Sequence, residues 1–136
     1  MDSELEKAVT FFRFEDLRIY HKALDYIEWV TKKTVSFPND NQASIGTKYN
    51  LSAQAIALNI SEGSARNKSQ FIYYLKMAKS AVRECVVFTT LATKLGYLKE
   101  VDAEESRGQL MEMTKMIGAL IGSLQRAADL NAEDPD

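Results

Sequence analysis

The sequence holds few of the residues that interrupt helices or cross-link a chain. Only two prolines and six glycines occur among its 136 residues, so long stretches are free to be helical. The single cysteine, Cys85, excludes an internal disulfide framework. No apolar run reaches the ~18 residues that a membrane-spanning helix needs, and the acidic start lacks the basic region of a signal peptide. We therefore expect one soluble domain in the cytoplasm, without contact to a membrane.

Residue types used in catalysis are equally scarce. His21 is the only histidine, and it lies between Tyr20 and Lys22 at the edge of a polar helix face, where we expect a surface or interface position. Cys85 falls in an apolar stripe, where a thiol behaves as a small hydrophobic group. Nucleophilic chemistry needs a nucleophile, a base and an orienting group, and the sequence offers no such set. We predict that the protein is not an enzyme, with no catalytic residue, metal ligand, cofactor or small-molecule substrate.

Apolar residues that recur every three or four positions predict four helices, which start near residues 14, 43, 67 and 102. Short links between long helices favour an all-α fold, an up-down four-helix bundle. We expect the bundle domain to cover residues 14–130, with a flexible segment at 1–13 and a disordered acidic tail at 131–136. The core stripes of the last three helices are predicted to be Ile45, Tyr49, Ala53, Ile56 and Ile60; Phe71, Leu75, Ala78, Val82, Cys85, Thr89 and Ala92; and Leu110, Met113, Ile117, Leu120 and Leu124.

Local signals mark where these helices begin and end. Pro38 disfavours a helical conformation at the residue before it and closes the first helix. The pairs Asn67–Gln70 and Asp102–Glu105 have the spacing of capping boxes, which predicts the starts of the third and fourth helices. Gly96 predicts the end of the third helix, with Tyr97 folding back onto its last turn.

The first helix carries two apolar stripes where one would complete a bundle core. One stripe contains Leu17, Tyr20, Leu24, Ile27, Thr31 and Thr34. The other lies about 100° further round the helix, and Trp29 sits near it among polar residues. We therefore predict a homo-oligomer whose interface consists of Ile19, Ala23, Tyr26, Trp29 and Val30.

The stretch NISEGSARNKSQF joins the second and third helices. Gly63 is predicted to lie just past the end of the second helix, in a left-handed conformation. Asn59 and Glu62 complete this structural junction, where Asn59 bonds a neighbouring backbone group and Glu62 pairs with Arg66 or Lys68. A Walker A loop needs a second glycine, a longer spacing and a preceding strand, and none of these is present. The junction is either only a turn or a binding surface through Arg66 and Lys68.

Charge is distributed unevenly, although the formal net charge is only −2. Between residues 64 and 99, seven basic residues accompany a single acid, Glu84, whereas nine acids and three bases follow from residue 100 onward. Six basic residues of the first segment are the candidate contacts for RNA or a protein partner: Arg66, Lys68, Lys76, Lys79, Arg83 and Lys94. The alternative is that these side chains only solvate a helix surface.

Four motifs occur in a fixed order: FEDLRIYHKA from Phe14, FP at residues 37–38, NISEGSARNKSQF, and LGYL from Leu95. Together they make the chain resemble the four-helix-bundle family of 23S rRNA-intervening-sequence proteins, over roughly residues 14–98. In that family the junction usually reads NIAEG, and Ser61 replaces the alanine here.

The resemblance implies an up-down bundle that assembles into ring-like homopentamers and is encoded within the intervening sequences of bacterial 23S rRNA genes. A related bundle is the accessory variability determinant of diversity-generating retroelements, which binds a reverse transcriptase and its RNA. The expected partners are therefore further copies of the chain and a structured RNA or reverse transcriptase.

Two functions follow as hypotheses. The first is a non-enzymatic, oligomeric accessory scaffold that binds RNA or a ribonucleoprotein, since clustered cations attract phosphates. The alternative is a purely protein-binding structural oligomer without nucleic-acid contact, which the doubled apolar stripe and the overall acidic balance favour.

Overall fold

The structure is a computed structural model that describes residues 11–38 and 44–133, with side chains described as far as residue 127. Within these residues the chain is all-α and contains no strand, as predicted. A short 3-10 helix (Arg13–Asp16) precedes four α-helices: α1 (Arg18–Thr34), α2 (Ile45–Ser64), α3 (Lys68–Lys94) and α4 (Glu100–Glu133). None of the helices in the described ranges is long and apolar enough to cross a bilayer.

The predicted terminal segments fall largely outside the described residues. Of the predicted flexible segment, residues 1–10 lie outside, and Arg13 already belongs to the 3-10 helix. The predicted domain boundary at residue 130 falls inside α4, which continues to Glu133. Residues 134–136 of the predicted tail lie outside the described part.

The four helices pack around one hydrophobic core. Each helix contacts the next along the chain, and α1 closes the arrangement along a narrower seam with α4. The three predicted core stripes of α2, α3 and α4 all line this core, although the end residues Ile45, Phe71, Leu120 and Leu124 are only half-buried. The periodicity therefore identifies the inner face of three of the four helices correctly.

Two of the predicted helix ends are confirmed. Asn67 caps α3, and its side chain accepts a hydrogen bond from the backbone N–H of Gln70 at 2.9 Å. Gly96 ends α3 with φ at +80°, a conformation that costs glycine little. The N–H of Tyr97 then donates to the carbonyl of Ala92 at 2.8 Å, which is the fold-back of a Schellman motif.

The predicted capping box of the fourth helix is wrong. α4 begins at Glu100, and the N–H of Ala103 donates to the carbonyl of Lys99 at 3.0 Å. Asp102 therefore lies within the first turn of the helix and does not precede it. Its carboxylate accepts a hydrogen bond from the ammonium of Lys33 at 3.0 Å and so links α4 to α1.

The predicted interface on α1 is also wrong. Ile19, Ala23, Tyr26 and Val30 are at most 3 % exposed and lie inside a single chain, where they contact the core. In the other stripe Leu17, Tyr20 and Ile27 are half-buried against the core, whereas Leu24 is 40 % exposed. The buried stripe has no polar side chain except Tyr26, whose hydroxyl finds partners inside the bundle, whereas the other stripe ends in Thr31 and Thr34.

Trp29, the fifth predicted interface residue, is half-buried at the seam between α1 and α4. Its ring stacks on Tyr26 with centroids 5.9 Å apart, and the ammonium of Lys33 lies 5.8 Å from the ring centroid. Both contacts come from its own chain. The indole N–H has no hydrogen-bond partner among the described residues.

Candidate functional site

The basic residues of α3 lie on the side of the helix that faces away from the core. Lys76, Arg83 and Lys94 are all exposed. They are 7 and 11 residues apart in the sequence, which is close to two and three whole helical turns, so they form one line of roughly 27 Å along the helix. Lys79 lies half-buried beside this line. We call these four side chains the α3 basic face.

The cations of the α3 basic face are free to meet an external anion. None of the four makes an ion pair with any residue that the structure describes, and neither does Lys68 at the start of α3. The only acid on α3 is Glu84, which is exposed. Unpaired ammonium and guanidinium groups on a helix surface attract phosphate without reading any sequence.

Exposed apolar side chains accompany the basic face. Tyr73 is 58 % exposed, Met77 43 % and Val87 61 %. The ring of Tyr73 packs edge-on against Tyr74, with centroids 5.3 Å apart and an interplanar angle of 86°. A tyrosine ring beside basic side chains offers a stacking surface for an unpaired base.

Arg66, at the helix junction, differs from the other candidate cations because it is paired with a described acid. Its guanidinium forms an ion pair with Glu62 one turn earlier and lies 5.5 Å from the centroid of the Tyr74 ring. The hydrogen bond that its guanidinium donates to the Glu62 carboxylate raises the pKa of Arg66. Asn59 donates to the carbonyl of Ala55 at 2.8 Å. The predicted pairing of Glu62 with Arg66 is thus confirmed, and Arg66 is largely committed to its own chain.

Gly63 is structurally important for a reason other than the predicted one. It lies inside α2, and the positive φ predicted for it occurs instead at Gly96 among the described glycines. A Cβ atom at Gly63 would come within 2.6 Å of the Cβ of Tyr74 and 3.0 Å of Cδ1 of Phe71. The absence of a side chain therefore allows the end of α2 to pack directly on the start of α3.

A family model described as 23S rRNA-intervening sequence protein matches residues 15–119 of the chain. The match includes α1, α2, α3 and the first part of α4, and it contains every candidate residue of the basic face and the junction. The chain belongs to this family. A search of curated proteins finds no match.

The buried centre of this 23S rRNA-intervening sequence family member is polar, which the sequence reading missed. Four hydroxyl groups meet there, one from each helix, and we call them the hydroxyl quartet: Tyr26, Tyr49, Thr89 and Ser106. Five O···O distances join them, from 2.7 to 3.2 Å, and Thr89 also lies 2.8 Å from the carbonyl of Cys85. Burial raises the pKa values of both tyrosines, so their hydroxyls remain hydrogen-bond donors even at alkaline pH.

His21 and Cys85, whose residue types are common in catalytic sites, lie where the sequence predicted: the histidine at the surface and the thiol in the core. His21 is exposed, and its Nε2 lies within hydrogen-bond distance of the backbone carbonyl of Glu15. Cys85 is a free, fully buried thiol one turn before Thr89. Burial, with a smaller contribution from the charge of Glu84, raises the pKa of Cys85 to about 12.

This raised pKa predicts a loss of stability at alkaline pH. The unfolded thiol titrates near ~8.5, so between that pH and about 12 the unfolded chain loses a proton that the folded chain keeps. The free energy of unfolding should then fall as the pH rises, by about 2 kcal/mol from this thiol at pH 10. Urea unfolding between pH 8 and pH 10 should show a shallower decline for Cys85→Ala than for the wild type. Equal slopes, or rapid thiol labelling without denaturant, would contradict the burial of Cys85.

A second exposed feature lies between α1 and α2 and was not predicted. Tyr20, Leu24 and Ile27 of α1 and the outer side of α2 border an apolar groove, which we call the α1/α2 groove. Its lining residues are Phe14, Tyr20, Leu24, Ile27, Gln54, Ala57, Leu58 and Ser61. Leu58 is 67 % exposed. The signal in the sequence is the pair Leu51 and Leu58, two apolar residues seven positions apart on the side of α2 opposite its core stripe.

Proposed function

We propose that this family member is a non-enzymatic accessory scaffold of the cytoplasm that binds structured RNA, or a ribonucleoprotein containing it, through the α3 basic face. The observation that carries the proposal is the line of exposed cations on α3, which form no ion pair with any described residue, in a chain whose family is named for 23S rRNA intervening sequences. Binding is mainly attraction to phosphates, with Tyr73 as a stacking surface. Lys68 extends the same surface toward the helix junction, whereas Arg66 supports it from within the chain.

We further propose that the four helices run up and down in turn and that the chain assembles with further copies into a ring. Contacts between the start of α1 and the end of α2, as in Leu24 beside Leu58, support antiparallel neighbours. The ion pairs Lys22–Glu112 and Lys33–Asp102 support the same relation for α1 and α4. The resemblance to ring-forming relatives makes a homopentamer the expected assembly. A ring of identical subunits repeats the basic face around its circumference and multiplies its attraction for a polyanion.

A protein-binding structural oligomer without nucleic-acid contact is the second candidate. The observation that favours it is the exposed apolar surface at the α1/α2 groove, which includes Leu24 and Leu58. Large apolar side chains that remain in contact with water on one connected surface are typical of a protein-binding site. A retroelement reverse transcriptase is one partner that the resemblance implies.

Charge reversal on α3 tests the RNA proposal. The triple variant Lys76→Glu, Lys79→Glu, Arg83→Glu should lose at least tenfold in affinity for a structured fragment of 23S rRNA at ~100 mM salt. The slope of log affinity against log salt should become shallower, because each lost phosphate contact removes ~0.7–0.9 from it. Fluorescence anisotropy across a salt series measures both quantities. The helix core is untouched, so the melting temperature and the particle size should remain near those of the wild type.

A matched control places the same charge change on the other helices. Arg18, Lys48 and Lys115 are exposed and make no ion pair with a described residue, so Arg18→Glu, Lys48→Glu, Lys115→Glu should weaken binding much less. Equal loss in both triple variants would mean that only net charge matters. No binding of the wild type at low salt would leave the protein-binding oligomer as the better function.

A further inference from the structure

The α1/α2 groove is apolar and open to solvent. Among the described residues that line it, none is charged, and the polar ones are Gln54 and Ser61. The ring of Phe14 packs edge-on against Tyr20 at 5.1 Å and forms one wall. Leu24 and Leu58 border the groove, where they remain 40 % and 67 % exposed. Covering these side chains would remove apolar surface from water, which favours an occupant of similar character.

The size of the groove indicates what kind of occupant it takes. Its volume is about 280 Å³, at the lower limit of the ~300–1,000 Å³ usual for small-molecule sites. The lining lacks the several converging polar groups that fix the orientation of a substrate. Such a groove suits one or two large apolar side chains of a polypeptide.

The same chain carries two large apolar side chains that remain largely exposed to solvent. Phe11 is 77 % exposed and Phe12 is 50 % exposed, and their rings contact each other edge-on at 5.0 Å. We call them the aromatic pair. Two adjacent exposed phenylalanines are an unusual cost for a chain in water, and aromatic side chains are favoured at the centre of protein interfaces.

The aromatic pair does not fill the groove of its own chain. The 3-10 helix (Arg13–Asp16) separates the pair from α1, and the N–H of Leu17 donates to the carbonyl of Phe14 at 3.1 Å. This turn places Phe14 in the wall of the groove, while Phe11 and Phe12 are not among the lining residues. Phe12 nevertheless lies next to the groove, because its ring meets that of Phe14 edge-on with centroids 6.2 Å apart. Each chain therefore carries an apolar groove and, beside it, an exposed aromatic pair that is not part of its lining.

We propose that the α1/α2 groove of each copy receives the aromatic pair of a second copy. The inference rests on the self-assembly proposed above and names the surfaces that form it. Because the pair and the groove are different patches, the contact joins two unlike surfaces. In the head-to-tail arrangement of the proposed ring, repeating the contact closes a ring or extends a filament, whereas reciprocal exchange between two copies would give a two-fold dimer. This geometry differs from the interface first expected on α1, whose residues are buried inside the chain.

Two variants of the full chain separate the two halves of the contact. The arm variant, Phe11→Ser with Phe12→Ser, keeps the groove and loses the pair. The groove variant, Leu58→Glu, keeps the pair and places a charge in the groove. Light scattering at micromolar concentration should give an oligomer for the wild type and a monomer for each variant alone.

Mixing the two variants is the decisive measurement. The groove variant still offers an intact aromatic pair, and the arm variant still offers an intact groove. One contact can form between them, and growth then stops because the remaining two patches are disabled. Sedimentation equilibrium of a 1:1 mixture over a wide concentration range should therefore show a dimer and nothing larger.

Controls keep folding separate from assembly. Circular dichroism and thermal melting should show both variants folded, and Leu58→Ser replaces Leu58→Glu if the charge unfolds the chain. Val101→Glu changes a side chain on α4 that is 65 % exposed and lies outside the groove, and it should keep the size of the wild type.

Each other outcome has a distinct meaning. A monomeric wild type would overturn the proposed self-assembly and this inference together. A wild-type oligomer whose size survives both variants would overturn only the inference, because assembly would then use another surface. Two monomeric variants that fail to form the mixed dimer would also overturn it. An intact aromatic pair and an intact groove would then be present in the mixture without binding each other.

Discussion

Replacing Gly63 by valine is expected to lower the free energy of unfolding by about 3 kcal/mol or more, at the upper end of what overpacking costs. The Cβ atom of a new side chain would lie 2.6 Å from the Cβ of Tyr74. That neighbour is attached directly to the backbone of α3, so rotation of the tyrosine side chain cannot relieve the overlap. The helices α2 and α3 would have to separate at the junction. Gly63→Ala should already be destabilising, although less so.

Two other glycines provide matched controls for Gly63. Gly108 and Gly118 lie in α4, and a Cβ atom at either position would meet nothing within 4 Å among the described residues. Alanine there should raise the free energy of unfolding by roughly 0.5–1 kcal/mol, because glycine is a poor helix former. Urea unfolding at one fixed protein concentration measures all four variants. A neutral Gly63→Ala would show that α2 and α3 do not approach as closely as described.

Gly63 also illustrates where local sequence signals succeed and where they stop. The signals that depend only on neighbouring residues predict structure well, as the cap at Asn67 and the left-handed Gly96 show. Gly63 carries the same local signature as Gly96, a glycine after a helical pattern. Its real constraint is the approach of α3 across the junction, and a contact with another helix leaves no trace in the residues beside it.

The two stripes of α1 show a similar limit. Periodicity indicates that both are apolar, but it does not determine which one faces the bundle. The outcome depends on how α1 packs between α2 and α4, and the structure buries Ile19, Ala23, Tyr26 and Val30. The doubled stripe still predicts a second contact surface, and the assembly proposed above assigns it to Leu24 and the groove beside it.

The exposure of the α3 basic face could be predicted from the sequence, whereas its role as a binding site stays a prediction. Charge clustering between residues 64 and 99 is visible in the sequence, and a long exposed helix keeps such side chains on its outer side because burying them unpaired is costly. The ion pair between Arg66 and Glu62 follows the i,i+4 rule. The structure adds that this pair sets Arg66 apart from the five other candidate cations.

The hydroxyl quartet could not be foreseen, since its members are 17 to 80 positions apart in the sequence. Ser106 gives no signal of burial, because serine is usually exposed. Bringing one hydroxyl from each helix to one point fixes the relative register of all four helices. A shift of any helix by one turn would leave a buried hydroxyl without a partner, at a cost of about 1–3 kcal/mol.

The quartet leads to a prediction about coupling between mutations. The four hydroxyls supply four protons, whereas six close contacts join their oxygens to one another and to the Cys85 carbonyl. The contacts therefore outnumber the protons, and a hydroxyl that loses one acceptor can turn to another. Without the Tyr49 hydroxyl, Tyr26 can donate to Ser106, Ser106 to Thr89, and Thr89 to the Cys85 carbonyl. Every remaining hydroxyl therefore still donates one hydrogen bond. Removing Ser106 alone leaves an equivalent chain through Tyr49. Tyr49→Phe and Ser106→Ala should therefore each cost only about 0.5–1.5 kcal/mol.

The double variant Tyr49→Phe, Ser106→Ala should cost clearly more than the sum of the two single ones. Tyr26 bonds only to Tyr49 and Ser106 among the described residues, so its buried hydroxyl then loses every partner and pays a further ~1–3 kcal/mol. Urea unfolding of the complete double-mutant cycle measures this excess. Tyr49→Phe with Gly118→Ala is the control, because Gly118 lies outside the quartet and a Cβ atom there meets nothing within 4 Å among the described residues, so the two effects should add. An additive result for the first pair would mean that water or a shifted side chain satisfies Tyr26, and the quartet would then not hold the helices in register.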